Sequence, residues 1–327
     1  MFAGRASSPC GSEPSAGRSR DAPVYESSSI RGMPTIEFHD VGEVGTLRVA
    51  GPDAAAFLQG QLTADIRTLA PDSGQLAAWC SPQGRVIALM RLVPTEDGFL
   101  ALMPRALAGD VAERLARFVL RARVRIEDAS STLAVAGLAG ATTGVLAGLS
   151  LGEGSQVRLA QLPGPRCLAI GTPGPVAALR DRWPAAPDGG WDALAVALGE
   201  PEVYPATSEA WVPQMLNLDL LGAVSFRKGC YPGQEIVART QNLGRIKRRL
   251  FRYHVTGPGL PSAGSALLQG GTKVGEVVRV ASHRGRSDLL AVVNLDACGT
   301  GLLAEEGGAT CTPEPLPYAV PDAVGAT

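Results

Sequence analysis

The stretch Ser225-Phe226-Arg227-Lys228-Gly229-Cys230-Tyr231-Pro232-Gly233-Gln234-Glu235 is where this 327-residue chain concentrates chemically useful residue types. A thiol acts as nucleophile or metal ligand in its thiolate form, and nearby cations favour that form. Arg227 and Lys228 supply positive charge beside Cys230, and Arg239 can return to the same side one or two helical turns later. Gly229 permits a sharp turn or a close backbone approach to a ligand. Pro232 suits the first position of a helix through residues 236–240, which would set the positive end of that helix near Cys230. Gln234 and Glu235 add a polar handle for a ligand ring or a partner. A lone cysteine is more often a small buried hydrophobe than a reactive group, and residue types alone leave both readings open.

The elements that must position this segment are read from periodicity and turn signals. Residues 46–49 predict a strand and 52–60 a helix, with Pro52 and Asp53 in its first turn and Phe57 and Leu58 on its apolar face. Two strands at 76–80 and 85–93 are joined by Ser81-Pro82-Gln83-Gly84, and a third at 99–103 follows Glu96-Asp97-Gly98. Leu107, Val111, Leu115 and Phe118 recur at helical spacing across 104–120. A strand at 124–127 completes an α+β block over residues 34–130. A second α+β block, 131–247, predicts strands at 133–138, 157–162 and 167–171 and helices at 175–182 and 191–198. From 248 to 327, short strands at 251–255, 266–269, 274–281, 289–295 and 310–313 alternate with glycine-rich turns, the pattern of a small β-barrel. Residues 1–33 are rich in Ser, Gly, Pro and Arg without periodicity; they read as a disordered extension or a mis-assigned start, with Met33 a candidate first residue.

Composition narrows the function class. A 45% hydrophobic, 19% charged chain is globular rather than disordered. The net charge of −1 sets up no strong field, which argues against direct nucleic-acid binding. No apolar run approaches the roughly 20 residues that span a bilayer, so no membrane partner is expected. Six scattered cysteines and three histidines contain no Cys-x-x-Cys pair, which predicts no metal site held by protein ligands alone. Without a secretory apolar stretch, a cytoplasmic protein with reduced thiols is expected.

Lys-Gly-Cys-Tyr-x-Gly-Gln-Glu at 228–235 resembles the signature of the YgfZ family, folate-binding proteins related to the glycine-cleavage T-protein. The run Phe57-Leu58-Gln59-Gly60-Gln61-Leu62-Thr63-Ala64-Asp65 is similar to the family's N-terminal motif. Pro213-Gln214-Met215-Leu216-Asn217-Leu218-Asp219 precedes the signature at the family's usual distance, and Glu314-Pro315-Leu316-Pro317-Tyr318 resembles its C-terminal ending. The resemblance implies an α+β, T-protein-like ring of three domains, two mixed α/β domains interleaved in sequence and a C-terminal β-barrel, around a cleft for tetrahydrofolate or another folate. It makes residues 34–130 the first part of the folate-binding domain. It implies a helper in synthesis or repair of iron–sulfur clusters, linked to tRNA modification, whose partners are folate and iron–sulfur proteins or assembly factors; a monomer is expected.

On that resemblance Cys230 is the functional thiol, with Lys228 beside it. The folate contacts fall on Trp191, Gln214, Asn217, Tyr231, Gly233, Gln234, Glu235, Arg239, Gln59 and Asp65. Trp191 is carried over from a folate-contacting Trp of bacterial members, eight residues before Gly199; by residue type it could equally be core. Near the family's other Trp position this chain has Val44. Pro232 stands where the family often has Thr. Amides such as Gln214 and Asn217 can both donate to and accept from a pterin ring. The basic run Arg245-Ile246-Lys247-Arg248-Arg249 could bind a folate glutamate tail or simply be a solvated connector.

The alternative is a tetrahydrofolate-dependent aminomethyltransferase. That enzyme carries a catalytic carboxylate in a Gly-Gly-Val-x-Asp-Asp-like stretch, and the corresponding residues here are Gly84-Arg85-Val86-Ile87-Ala88-Leu89-Met90. Proton handling at the folate amine needs a carboxylate, which Ala88 lacks, so an enzyme in the usual sense is not expected. A scaffold in which Cys230 is merely structural is the other reading.

Overall fold

The computed structural model describes residues 35–147, 157–242, 246–299 and 301–321. The expectation for residues 1–33 and the contribution of Arg245 to the basic run lie outside them. All described elements belong to one compact unit.

Strands β1 (Glu37–Asp40) and β2 (Val44–Ala50) lead into helix α1 (Ala54–Gln59). They are followed by β3 (Gln75–Cys80), β4 (Val86–Thr95), β5 (Gly98–Pro104), α2 (Arg105–Ala116) and β6 (Arg125–Asp128). Next come β7 (Ala134–Ala139), α3 (Thr143–Ala147), β8 (Val157–Leu162), β9 (Arg166–Gly171), α4 (Pro173–Ala177), α5 (Gly190–Ala197) and α6 (Gln234–Asn242). The chain ends in β10 (Arg248–Thr256), β11 (Ala266–Gln269), β12 (Thr272–His283), β13 (Arg286–Asn294), β14 (Leu302–Ala304) and β15 (Thr310–Glu314).

These strands make a five-stranded sheet in the order β3-β4-β5-β2-β6, a four-stranded sheet β1-β7-β9-β8, and a closed barrel β10-β13-β12-β11-β14-β15. The fold is α+β with a C-terminal β-barrel, as expected. Side-chain alternation explains how the two sheets pack. On β5, Phe99, Ala101 and Met103 enter one core, while Leu100 and Leu102 face the other way. There they meet Leu168 and Ile170 of β9, whose neighbours Cys167 and Ala169 pack on the far side with Phe38 and Leu138.

Chain order and spatial grouping differ in two places. β1 pairs antiparallel with β7, Phe38 opposite Leu138, so residues 37–40 belong to the second sheet and not to the block in which they stand. Residues 196–224 return to the first sheet: Val196, Val203, Trp211, Leu216 and Leu218 share a core with Leu47, Leu58 and Met90, and that core runs on to Leu250 and Val292 of the barrel. In both cases burial of apolar side chains overrides sequence neighbourhood.

Candidate functional site

The cysteine segment is held by its flanks. The Lys228 ammonium donates to the carbonyl oxygens of Leu62 at 2.6 Å and Ala64 at 2.7 Å, and stands 5.4 Å from the Tyr231 ring centroid. Burial draws its pKa down from the usual lysine value to about 8, with Asp65 opposing and Arg67 reinforcing that fall. The cation expected beside the thiol is thus committed to two main-chain acceptors of the N-terminal motif. Thr63 ties the same two stretches together. Its hydroxyl donates to Ala223 O at 2.6 Å, and its own carbonyl accepts from Ser225 N at 2.9 Å.

Gly233 has φ +77° and lies against the Ser81–Gly84 turn, where a β-carbon would come within 2.3 Å of Ser81 O. Only glycine combines that backbone angle with that approach. The helix begins at Gln234 rather than near Pro232. Gln234 closes its own first turn, its Oε1 accepting from Tyr231 N at 3.2 Å, so that amide serves the loop. Tyr231 is buried, while Glu235 and Arg239 are exposed. Cys230 is exposed, whereas Cys80, Cys167, Cys298 and Cys311 are buried. Burial pushes the Cys80 and Cys167 thiols up to about 12, so neither is available as a thiolate.

Gln59 and Asp65 brace the floor under Lys228. Gln59 Nε2 donates to Asp65 Oδ1 at 3.0 Å, and its Oε1 accepts from Ile66 N at 2.8 Å. Asp65 accepts from Nε and Nη2 of Arg67, a pairing that holds its carboxyl well below the usual range.

Gln214 and Asn217 stand at the junction with the barrel, both fully buried. Asn217 Nδ2 donates to Leu250 O at 2.9 Å, and Gln214 Nε2 donates to Val237 O at 2.8 Å. Beside them Arg249 makes a two-pronged pair with Asp219 at 2.6 and 2.9 Å, both side chains buried. This arm of the basic run is therefore a structural joint, and the two amides are occupied by main-chain partners. The Gln214 Oε1 atom is buried without a hydrogen-bond partner.

Trp191 belongs to a different place. It is 8% exposed and lines a cleft of about 300 Å³ between the two sheets, with Leu102, Leu162 and Leu168 on the apolar walls. β7 passes so close that a β-carbon at Gly137 would lie 2.3 Å from the indole. The Arg166 guanidinium is 5.5 Å from the ring centroid and is fixed by Glu200 at 2.6 Å, which also takes Arg91 at 3.1 Å. Burial works to raise the Glu200 carboxyl, but Arg91 and Arg166 outweigh it and keep Glu200 ionised. Its neighbour Glu202 lacks such a clamp, and burial pushes it up to about 7. Arg279, paired with Asp192, and Tyr204 complete the polar side.

The structure thus brings together Gln59, Asp65, Lys228, Tyr231, Gly233 and Gln234 around an exposed Cys230. It sets Trp191 in the inter-sheet cleft and Gln214 with Asn217 at the barrel joint. Arg91, Glu200, Glu202, Tyr204 and Arg279 went unnoticed in sequence. No local motif joins them; the Glu200-Pro201-Glu202 pair of carboxylates in an otherwise apolar stretch was the one available signal. Among the described residues no group of three or more His, Cys, Asp or Glu is arranged to hold a metal ion, and no helix is long and apolar enough to cross a membrane.

Two paired sheets and a six-stranded barrel in this arrangement define the fold of the glycine-cleavage T-proteins. The GCVT N-terminal domain family matches residues 31–153. The crystal structure of the glycine cleavage system aminomethyltransferase T from Bartonella henselae superposes with a TM-score of 0.65 at 16% identity, covering 89% of this chain and 87% of that one. Within that fold the sequence is specific. It is 31% identical over 323 residues to the tRNA-modifying protein YgfZ of Klebsiella pneumoniae (strain 342), covering 92% of this chain and 98% of the relative. It is 34% identical over 237 residues to the YgfZ protein of Edwardsiella ictaluri (strain 93-146), covering 68% and 72%. The chain belongs to the YgfZ family.

Proposed function

We propose that this protein binds tetrahydrofolate or another folate in the Trp191 cleft and uses Cys230 to assist synthesis or repair of iron–sulfur clusters in the cytoplasm. The observation that carries the reading is the contrast among the described cysteines: four are buried, and Cys230 alone is exposed, on a loop anchored at Lys228 and Gly233. Anchoring fixes the direction of the thiol without burying it, as a group that must meet a macromolecular partner requires.

The cleft fits a folate. Its volume lies at the lower end of the range for small-molecule sites, and Leu102, Leu168 and Trp191 offer apolar surface to a flat ring. Glu202, held near neutrality, can donate as well as accept, matching the mixed edge of a pterin. A bound folate would supply a one-carbon carrier or a redox-active pterin; the protein's part is to enclose and orient it. Aminomethyl transfer is not favoured, because Ala88 is fully buried in β4 opposite Trp79 and bears no proton acceptor. The tRNA modification that names the curated relatives fits a role through iron–sulfur enzymes that act on tRNA, and the net charge of −1 favours that route over RNA binding by this chain.

The test pairs two measurements. Titration with tetrahydrofolate should quench Trp fluorescence saturably, and a Trp191→Phe protein should lose most of that quench. Cys230→Ala should keep folate affinity and the fold but fail to restore an iron–sulfur enzyme's activity in a deletion strain. Full complementation by Cys230→Ala would sink the thiol reading, and an absent quench with unchanged melting temperature would sink the folate reading.

A further inference from the structure

A second recess, of about 380 Å³, opens between β1, the start of α5 and barrel strands β10, β12 and β13; it shares no lining residue with the Trp191 cleft. Three guanidinium groups border it, Arg252, Arg284 and Arg286, together with the imidazoles of His39 and His283. The two carboxylates on its wall are already answered. Asp288 receives Arg252 at 2.6 Å, Arg286 at 3.1 Å and His254 at 2.9 Å. Glu37 faces Arg284 at 3.9 Å and His39 Nε2 at 3.7 Å.

What remains unanswered is donor capacity. His39 is 4% exposed, and its Nε2 is buried with no hydrogen-bond partner; the Nε of Arg252 is buried and unpartnered as well. An arginine Nε is always a donor, and the carboxylate beyond hydrogen-bond reach of His39 favours the tautomer with hydrogen on Nε2. Native proteins rarely bury such groups unless something accepts from them. Arg284 is 64% exposed at the mouth, reaching a carboxylate only at 3.9 Å, so its fork is available to a bidentate acceptor. Two unsatisfied donors in the wall and one guanidinium at the rim favour a ligand rich in oxygen acceptors and negative charge.

We propose that this recess binds an oxyanion, the phosphate or carboxylate group of a small molecule, between His39, Arg252 and Arg284. The site is independent of the cleft and of the role assigned to Cys230. Because the chain has three histidines, His39, His254 and His283, nitrogen-15 histidine labelling of the full chain gives a spectrum in which each ring can be assigned by single His→Gln variants. Inorganic phosphate and glutarate are titrated separately at fixed pH and ionic strength. Saturable shifts of the His39 and His283 rings are expected with at least one of them, with an apparent affinity at least tenfold weaker in Arg284→Gln. Arg284 is largely exposed, so that variant keeps the fold. Preference for phosphate assigns a phosphate headgroup, and preference for glutarate a carboxylate. Shifts that do not saturate with either anion, or that saturate equally in Arg284→Gln, overturn the proposal.

Discussion

Gly233 and Gly84 meet backbone to backbone: a β-carbon on Gly233 would stand 2.7 Å from the Gly84 Cα. This contact docks the start of α6 on the β3–β4 turn and fixes the loop that presents Cys230. Gly233→Ala must pay for a left-handed alanine, about 1–2 kcal/mol, and must also push the turn away. The expected result is a lower unfolding midpoint, together with faster proteolysis of the 225–233 loop. A variant with wild-type midpoint and wild-type proteolysis would show that the loop does not depend on this contact.

Thiol chemistry under native conditions should single out Cys230. Peptide mapping after brief iodoacetamide treatment is expected to find Cys230 modified and Cys80, Cys167, Cys298 and Cys311 protected until the protein unfolds, because desolvation both hides those sulfurs and disfavours their thiolates. Native labelling of Cys80 at a rate near that of Cys230 would contradict the burial of Cys80 in the core of the first sheet.

Much of this was legible beforehand, and the failures have physical causes. Five of the six barrel strands and α2 were readable from apolar periodicity; the sixth, β14, spans only Leu302–Ala304 and is too short to show a period. β1 was not: Glu37-Phe38-His39-Asp40 is too short to show a period, and its partner β7 lies about a hundred residues on. The start of α6 was misread by two residues, because a proline at the first helical position is a local preference while the Gly233 contact with Ser81–Gly84 is tertiary. The cleft's polar side was invisible for the same reason, since Arg91, Arg166 and Glu200 are joined only when the two sheets face each other. Gln214 and Asn217 looked like ligand amides, but the carbonyls that engage them belong to Val237 and Leu250, which no local pattern connects to them.

The joint between Asp219 and Arg249 predicts an asymmetry between single and double variants. Asp219→Ala leaves a buried guanidinium without its partner, an arrangement that typically costs about 3–5 kcal/mol. The double variant Asp219→Leu/Arg249→Met removes both charges and should recover a large part of that loss. Urea unfolding of the four proteins gives the coupling directly; additive losses would mean that the pair is not acting as a buried unit.

Lys228 titrates in a direction that makes stability rise with pH. Its folded pKa of about 8 lies below the 10.5 of a free lysine. Between those values the unfolded chain holds a proton that the folded chain has released, so raising the pH favours folding there. The neutral amine still donates to Leu62 and Ala64, so the anchor survives. The urea midpoint of the wild-type protein should therefore climb relative to Lys228→Met between pH 8 and pH 10, with the variant less stable throughout because two buried carbonyls lose their donor. Parallel pH profiles for the two proteins would remove Lys228 from this account.

Glu202 runs the opposite way. Its carboxyl is raised from 4.5 to about 7, so between those values the folded chain keeps a proton that the unfolded chain has lost, and stability falls as pH rises through that window. Above pH 7 the folded protein bears a half-buried carboxylate whose desolvation Arg279 and Arg91 offset only in part. Glu202→Gln removes the titration while keeping the side chain's shape. Its unfolding midpoint should match the wild type near pH 4.5 and exceed it near pH 8. If folate sits against the protonated acid, the wild-type affinity will weaken above pH 7 while that of Glu202→Gln stays level. Equal midpoints for the two proteins at pH 8 would mean that solvent reaches Glu202 freely, and the cleft would then lose its one group able to change charge near neutrality.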